Sequence, residues 1–364
     1  MADDDGRTFR GQIVLFVLGI AVLTYVGGAF SANFEVFPYP QLLERPFRAL
    51  SAWSERKRNV ASEKIHTTAI WQRARYPDKT GVDRKDERSF GEYTVFSSGD
   101  RQGASLIDSD GEVVHTWRAA FREVWPDHPH VDNPVPEPYL FWRRVHLFAD
   151  GDVIASYSAQ HDAPYGYGLV RVDRDSNVVW KYGGRIHHDF TVRDDGSIVA
   201  LGHRSRDPSS EPVEGVPQLD EPFLSDYLVV LSPEGKERRK ISLIDALVDS
   251  AFRGVVDMLP KFLGEAPRWD PLHTNTANVI GEGFAEHYEF AEPGQVMVSF
   301  RELDTVAIVD LQKEVVVWAS RGFWSGPHDP DPLPNGDVLV FDNRSHGGPG
   351  GGGGSYATLR SPTD

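Results

Sequence analysis

Leu169–Trp180 reads LVRVDRDSNVVW, and Val306–Trp318 reads VAIVDLQKEVVVW. Each is an apolar run, a polar turn and a second apolar run closing on Trp. Ser105–Trp117 (SLIDSDGEVVHTW) fits the same template, and Leu228–Leu243 fits it without the Trp. A second element lies upstream, a turn glycine followed by an apolar strand: Gly151 (GDVIAS), Gly196 (GSIVAL), Gly294 (GQVMVS) and Gly336 (GDVLVF). Short β-rich runs separated by Asp-Gly, Asn-Gly and Pro-Gly turns predict an all-β chain. A four-strand unit recurring roughly every 40–50 residues predicts a β-propeller. About five units are visible, beginning near residues 91, 151, 196, 294 and 336. One four-stranded sheet cannot bury both of its faces, whereas sheets stacked about an axis cover each other. Trp117, Trp180 and Trp318 are therefore expected to pack blade on blade.

The chain has 364 residues, 40% of them hydrophobic, enough for a sizeable core. Its formal net charge of −16 argues against a nucleic-acid partner, since phosphate binding requires a basic surface. There is no cysteine, so disulfide and thiolate chemistry are excluded.

Gln12–Phe30 (QIVLFVLGIAVLTYVGGAF) carries no charge. About 20 apolar residues cross a bilayer as a helix, so residues 1–31 are read as an N-terminal membrane anchor. Arg7 and Arg10 precede the run and residues 31–44 hold no Lys or Arg. These flanks predict an inner-membrane anchor with the body on the periplasmic or extracytoplasmic side. Asp3, Asp4 and Asp5 and the basic run Arg56-Lys57-Arg58 oppose that orientation, and a cleaved signal peptide is the competing reading. Residues 32–89 read as a Pro-containing juxtamembrane connector and a helical stalk, the helices over about 47–75. Residues 90–364 are the propeller. Within it, Ile241–Phe262 places Leu243, Leu247, Ala251 and Val255 at i+4 spacing, which predicts a helical insertion over about 241–263 that forms a lid or wall. After the glycine run 347–354 there is room for about one more strand.

Candidate site residues follow from repeat register. His188 and His328 are each followed by Asp, and each precedes its turn glycine, Gly196 or Gly336, by the same interval. Equivalent positions in a radial repeat converge on one central funnel. His273 has a similar setting, Arg143 stands eight residues before Gly151, and Arg301 ends the strand SFRELDTV. Imidazoles and guanidiniums suit a tetrahedral oxyanion: Arg binds sulfate or phosphate in fixed fork geometry. A histidine nitrogen serves as nucleophile or as general acid and base. Metal binding is the competing chemistry, because three histidines can hold zinc.

The motifs HHDFTVRDDGSIVALG, HTNTANVI, SFRELDTVAIVD and HDPDPLPNGDVLVFDN occur in that order between residues 187 and 343. With them, residues 90–345 resemble the arylsulfotransferase family, the PAPS-independent enzymes of bacterial envelopes. The resemblance implies a six-bladed propeller without a cofactor or metal. It also implies ping-pong transfer of a sulfuryl group from an aryl sulfate ester to a phenolic acceptor. His328 would carry the group as a sulfohistidine, with His188, His273 and Arg301 as further catalytic residues. Asn275 matches a further polar position of the family; it, Arg143, placed by its register, and His187, the alternative to His188 in proton transfer, are expected to contact substrate. The family pattern continues past the glycine-rich loop into a strand pair ending in Trp, which this chain lacks. A non-catalytic alternative is a membrane-tethered propeller that scaffolds a protein partner or a homo-oligomer.

Overall fold

The computed structural model describes residues 4–33, 76, 81–82, 85–86, 91–160, 162, 164–259, 270–344 and 354–361. The chain divides into two compact units, Met1–Arg73 and Ala74–Asp364.

In the first unit, one helix, α1 (Asp4–Asn33), runs through the uncharged stretch. Its described side chains from Leu15 to Phe30 are all exposed. The longest unbroken run of described side chains in α1 is residues 15–31, and among the described residues no helix is long and apolar enough to cross a membrane. The connector and the expected stalk helices over 47–75 lie outside the described residues.

The second unit is an all-β propeller of five sheets, each a simple antiparallel meander. Sheet one holds β1 (Tyr93–Ser97), β2 (Gly103–Asp108) and β3 (Val113–Arg118). Sheet two holds β4 (Leu140–Leu147), β5 (Val153–Ala159), β6 (Gly166–Val172) and β7 (Val178–Tyr182). Sheet three holds β8 (Ile186–Val192), β9 (Ile198–Arg206), β10 (Phe223–Leu231) and β11 (Glu237–Ser242). Sheet four holds β12 (Thr274–Val279), β13 (Val296–Phe300), β14 (Thr305–Asp310) and β15 (Val315–Arg321). Sheet five holds β16 (Pro327–Pro332), β17 (Val338–Asp342) and β18 (Tyr356–Arg360). The six blades implied by the resemblance are thus five sheets among the described residues, and sheets one and five have three strands each. No strand pairing joins sheet five to sheet one among the described residues. Phe96 on β1, and Leu339, Phe341 and Leu359 on β17 and β18, are exposed.

The turn glycines act as the repeat predicted. Gly151, Gly196 and Gly336 take φ of 93°, 78° and 89°, a region that costs glycine nothing. The preceding Asp or Asn closes each turn: Asp150, Asp195 and Asn335 accept the N–H two residues on at 3.0, 2.9 and 3.2 Å. The tryptophans join successive sheets. Trp117 Nε1 donates to the Gly151 carbonyl of sheet two and Trp180 Nε1 to the Pro233 carbonyl of sheet three, both at 3.0 Å. Trp318 stacks on Phe290 of its own sheet's β12–β13 connection and packs against the cluster that holds Val338 and Val340 of sheet five.

The helical insertion is shorter and differently placed than its periodicity predicts. Ile241 belongs to β11, and among the described residues of this stretch only α3 (Leu243–Val248) is α-helical, started by the Ser242 hydroxyl accepting the Asp245 N–H. A 3₁₀ turn follows at Arg253–Met258. Leu243, Ile244, Leu247 and Val256 are fully buried in a core shared with sheets three and four. The helix packs on β10, β11 and β15. It fills the wedge between peripheral strands instead of covering the funnel, because its apolar face is already consumed there. Two further short helices, α2 (Phe121–Val124) and α4 (Glu282–Ala285), lie between sheets one and two and between β12 and β13.

Candidate active site

The first strands of sheets two to five, β4, β8, β12 and β16, pack beside one another. Each is interrupted at an equivalent point by a bulge. Arg143 and Arg144 oppose Ser156 alone. His187, His188 and Asp189 oppose Leu201. Asn275 and Thr276 oppose Ser299, and Asp329 and Pro330 oppose Val340. A bulge places extra residues on one strand and re-aims their side chains. Of the predicted sites, Arg143, His187, His188 and Asn275 therefore sit inside the innermost strand on its bulge, whereas His328 pairs with Phe341 just before the bulge of β16. Left-handed backbone marks the same places: His188 (φ 50°), Asp329 (φ 47°) and, one residue before β12, His273 (φ 45°). For non-glycine residues this conformation costs about 1–3 kcal/mol and clusters at functional sites.

The bulges are tied to each other. Arg144 Nε meets Asp189 Oδ1 at 3.1 Å, linking sheets two and three. Asp189 Oδ2 accepts the Ala277 N–H at 3.1 Å, linking three and four. Thr276 Oγ1 accepts the Asp329 N–H at 2.9 Å, and Asn275 Nδ2 donates to the Pro327 carbonyl at 3.1 Å, linking four and five. Asn275 Oδ1 accepts from Ser299 and Thr276, so three of the four hydrogen-bonding positions of its amide are engaged by protein. In this structure Asn275 acts as a strut between strands.

His328 Nδ1 donates to the Gly326 carbonyl at 2.9 Å. A neutral imidazole with Nδ1 protonated carries its lone pair on Nε2. Burial holds its pKa below the ordinary value, and Arg301, His273 and Arg143 add positive charge nearby. Arg301 stands in a 3₁₀ turn directly after β13 and pairs with the buried carboxylate of Glu302. His273 Nδ1 donates to the buried carboxylate of Asp270 at 2.5 Å, which orients it in the same way.

A second group of imidazoles gathers around Tyr165. Its phenol meets the centroids of His187, His188 and His273 at 5.5, 5.3 and 6.4 Å. Its hydroxyl lies 3.3 Å from His188 Nδ1. Burial, with Asp270 and Asp226 behind it, keeps the Tyr165 phenol protonated well above its usual range. His187 is 1% exposed and lies behind His188, its Nδ1 2.9 Å from His188 Nδ1. Burial and neighbouring positive groups push both imidazoles far towards the neutral form. Arg143 also has its pKa lowered by burial while Tyr165 and Asp189 oppose the shift.

Sequence reading missed Tyr165, His203, Asp226 and Asp270. Asp270 had a local signal, three residues before His273. His203 and Asp226 are direct partners across β9 and β10, a pairing that only register reveals. The nitrogens of His187 and His203 and the Asp226 carboxylate lie within 4.8 Å of one another, close enough to raise the question of a metal. The two imidazoles are stacked, 4.2 Å between centroids and 22° between planes. In-plane lone pairs of stacked imidazoles run side by side and do not converge on one ion. Elsewhere, His128 and His130 of the segment Pro126–His130 are held by main-chain carbonyls of Val131 and Tyr167, in keeping with a structural loop.

A profile of the arylsulfotransferase (ASST) family matches residues 144–357, well over half the chain. The chain belongs to the arylsulfotransferase family. The match spans the four bulged strands from Arg144 onward and every histidine of the funnel. Membership makes it a sulfotransferase-like enzyme, and the family implies aryl sulfates and phenols as its substrate class. No curated protein sequence matches. Among solved structures, hydrazine synthase from Kuenenia stuttgartiensis is similar at 12% identity and a TM-score of 0.41, over 74% of this chain and 67% of that one. BamB from Moraxella catarrhalis is similar at 10% identity and a TM-score of 0.36, over 70% of this chain and 52% of that one. A protein of unknown function from Bacteroides caccae is similar at 10% and 0.36, over 69% and 67%. At these scores the arylsulfotransferase assignment rests on the family profile alone.

Proposed function

We propose that this arylsulfotransferase works by ping-pong transfer through a sulfohistidine on His328. The observation that carries the reading is the bond from His328 Nδ1 to the Gly326 carbonyl, which leaves Nε2 as a fixed nucleophilic lone pair beside Arg301, His273 and Arg143. Nε2 attacks the sulfur of an aryl sulfate, the S–O bond to the aryl oxygen breaks, and the sulfuryl group rests on nitrogen. A phenol then attacks sulfur and releases the imidazole. Arg301 and Arg143 supply cationic donors for the sulfuryl oxygens, and Asp270 fixes the orientation of His273 beside them. Each donor aimed at developing charge contributes about 3–4 kcal/mol. His188 exchanges a proton with the departing or entering aryl oxygen.

The test is sulfuryl transfer from 4-nitrophenyl sulfate to a phenol, with mass spectrometry of the enzyme after donor alone. The reading predicts an added sulfuryl group on the His328 peptide and loss of transfer in His328→Ala. Full transfer by that variant would remove His328 from the role of nucleophile.

The apolar, exposed face of α1 supports a further part of the reading, that this helix anchors the chain in a membrane with the propeller on the extracytoplasmic side. Deleting residues 1–33 should then move the protein from the membrane to the soluble fraction, and an unchanged distribution would count against the anchor.

A further inference from the structure

The neutrality of His188 creates a chemical difficulty. A neutral imidazole that gives its Nε2 proton to a phenolate is left as an imidazolate, unless Nδ1 gains a proton in the same event. The structure supplies a source for that proton. His188 Nδ1 faces His187 Nδ1 at 2.9 Å. Two nitrogens at that distance share a single proton, so the tautomers of the two imidazoles are coupled. The other nitrogen of His187, Nε2, is buried without a hydrogen-bond partner among the described residues. It faces Asp226 Oδ1 at 3.6 Å. The second oxygen, Oδ2, accepts the Thr274 N–H at 2.8 Å, which leaves Oδ1 to hold a proton. Asp226 is 1% exposed, and burial together with Asp270 raises its pKa to about 7, so the carboxyl is available in its protonated form near neutrality.

We propose that His187 and Asp226 form a proton relay behind His188, running from the funnel to a buried carboxyl that stores one proton during each half-reaction. The inference rests on the sulfohistidine reading. When the donor is cleaved, the aryl oxygen takes the His188 Nε2 proton. His188 Nδ1 takes the His187 Nδ1 proton, His187 Nε2 takes the Asp226 proton, and Asp226 is left as carboxylate. When an acceptor phenol attacks the sulfohistidine, its proton enters at His188 Nε2 and each shift reverses. Every imidazole is neutral before and after, and the charge alternates between the aryl oxygen and Asp226. The 3.6 Å gap is longer than a hydrogen bond. It must close by about half an ångström, as catalytic contacts do when substrate fills the site.

The groups around the relay fit this role. His203 stacks on His187, and its Nε2 accepts the Gly166 N–H at 3.4 Å. Burial, with His203, His273 and Arg143, disfavours a cationic His187, and burial, with Asp270 nearby, disfavours an anion at Asp226. Tyr165, whose hydroxyl reaches His188 Nδ1 at 3.3 Å, is the competing donor. Its phenol resists ionisation, which leaves His187 as the easier source.

The test compares two donors with the full chain. 4-Nitrophenolate leaves as a stable anion and needs little protonation, whereas phenolate from phenyl sulfate needs it. Asp226→Asn and His187→Gln keep polar contacts but cannot pass a proton. In single turnovers without acceptor, which read the first half-reaction alone, each should slow release of phenol from phenyl sulfate about 100-fold and release of 4-nitrophenol from 4-nitrophenyl sulfate less than about threefold, within the range general acid catalysis supplies. Equal losses for both donors would mean that the pair only positions His188, and the relay would be discarded. If either variant fails to fold, the wild-type proton inventory in H2O/D2O mixtures decides. A bowed plot with phenyl sulfate supports several protons in flight, and a straight one excludes the relay. A wild-type protein that transfers from neither donor would defeat the sulfotransferase reading itself, and the relay with it.

Discussion

His273 and Asp270 form the shortest imidazole–carboxylate contact of the funnel, with Nδ1 2.5 Å from Oδ2 and the carboxylate 2% exposed. The two residues between them, Pro271 and Leu272, turn the chain so that His273 stands just before β12 with a left-handed φ of 45°. The carboxylate fixes both the tautomer and the direction of an imidazole that the backbone alone would hold under strain.

Replacing that carboxylate should therefore act on turnover. Asp270→Asn keeps the volume but loses the charged acceptor, and kcat/KM for 4-nitrophenyl sulfate should fall on the order of 100-fold, as expected when a carboxylate that orients a working imidazole is removed. Steady-state kinetics on the variant checks this, and a change below about threefold would show that His273 is not oriented by Asp270 during transfer.

The pH profile of the first half-reaction should report His328. Its pKa is lowered by burial and by nearby cations, and the neutral form is the nucleophile. Neutral His328 thus persists below pH 6.5, and the burst of phenol release should hold its rate as pH falls through that value. Rapid-mixing measurements from pH 5 to 8 test this. An acid limb with its midpoint at or above 6.5 would contradict the lowered pKa.

Asp189 makes a prediction about stability. Burial raises its pKa from 3.8 to about 6, outweighing the opposing effect of Arg144 and of the Ala277 N–H. Between these two values the folded state binds more protons than the unfolded state, so this residue lowers stability as pH rises from about 4 to 6, by on the order of 3 kcal/mol in total. Asp189→Asn abolishes that titration. The variant's Tm should rise more steeply with pH across this window than that of the wild type, and parallel curves would refute the assignment.

Gly166 tests the packing beneath Tyr165. A Cβ there would lie 2.3 Å from the Ile186 carbonyl oxygen and 2.6 Å from its carbon, both backbone atoms of β8. Main chain in a paired strand cannot yield easily, so Gly166→Ala should cost about 1–3 kcal/mol or more in denaturant unfolding. Because β8 carries His187 and His188, transfer activity should fall in the folded fraction as well.

Much of the fold could be read from local signals. The Asp-Gly and Asn-Gly turns work through their own side chains and glycine φ values, so the repeat units beginning near Gly151, Gly196, Gly294 and Gly336 coincide with second strands of real sheets. Trp117 and Trp180 bond the next sheet's turn for the same reason that they recur in the sequence. The helix over 241–262 was less legible. Its i+4 spacing is present, but Ile241 pairs with Leu228 in β11, and tertiary pairing overrides periodicity.

Repeat register brought His188, His273 and His328 to one funnel, and Arg143 and Arg301 with them, because equivalent positions in a radial repeat point to the same axis. The sequence by itself determined those residue types, their order and the all-β repeat. Only the tertiary structure decided what stands behind them. The bulges in β4, β8, β12 and β16 depend on which residue of the second strand is left opposite two or three. The Asp226–His203 pairing depends on the register of β9 and β10, and the Asp189–Ala277 bond on how two sheets abut. These contacts join residues as many as 88 positions apart, and no local propensity encodes a contact that exists only once the sheets have packed.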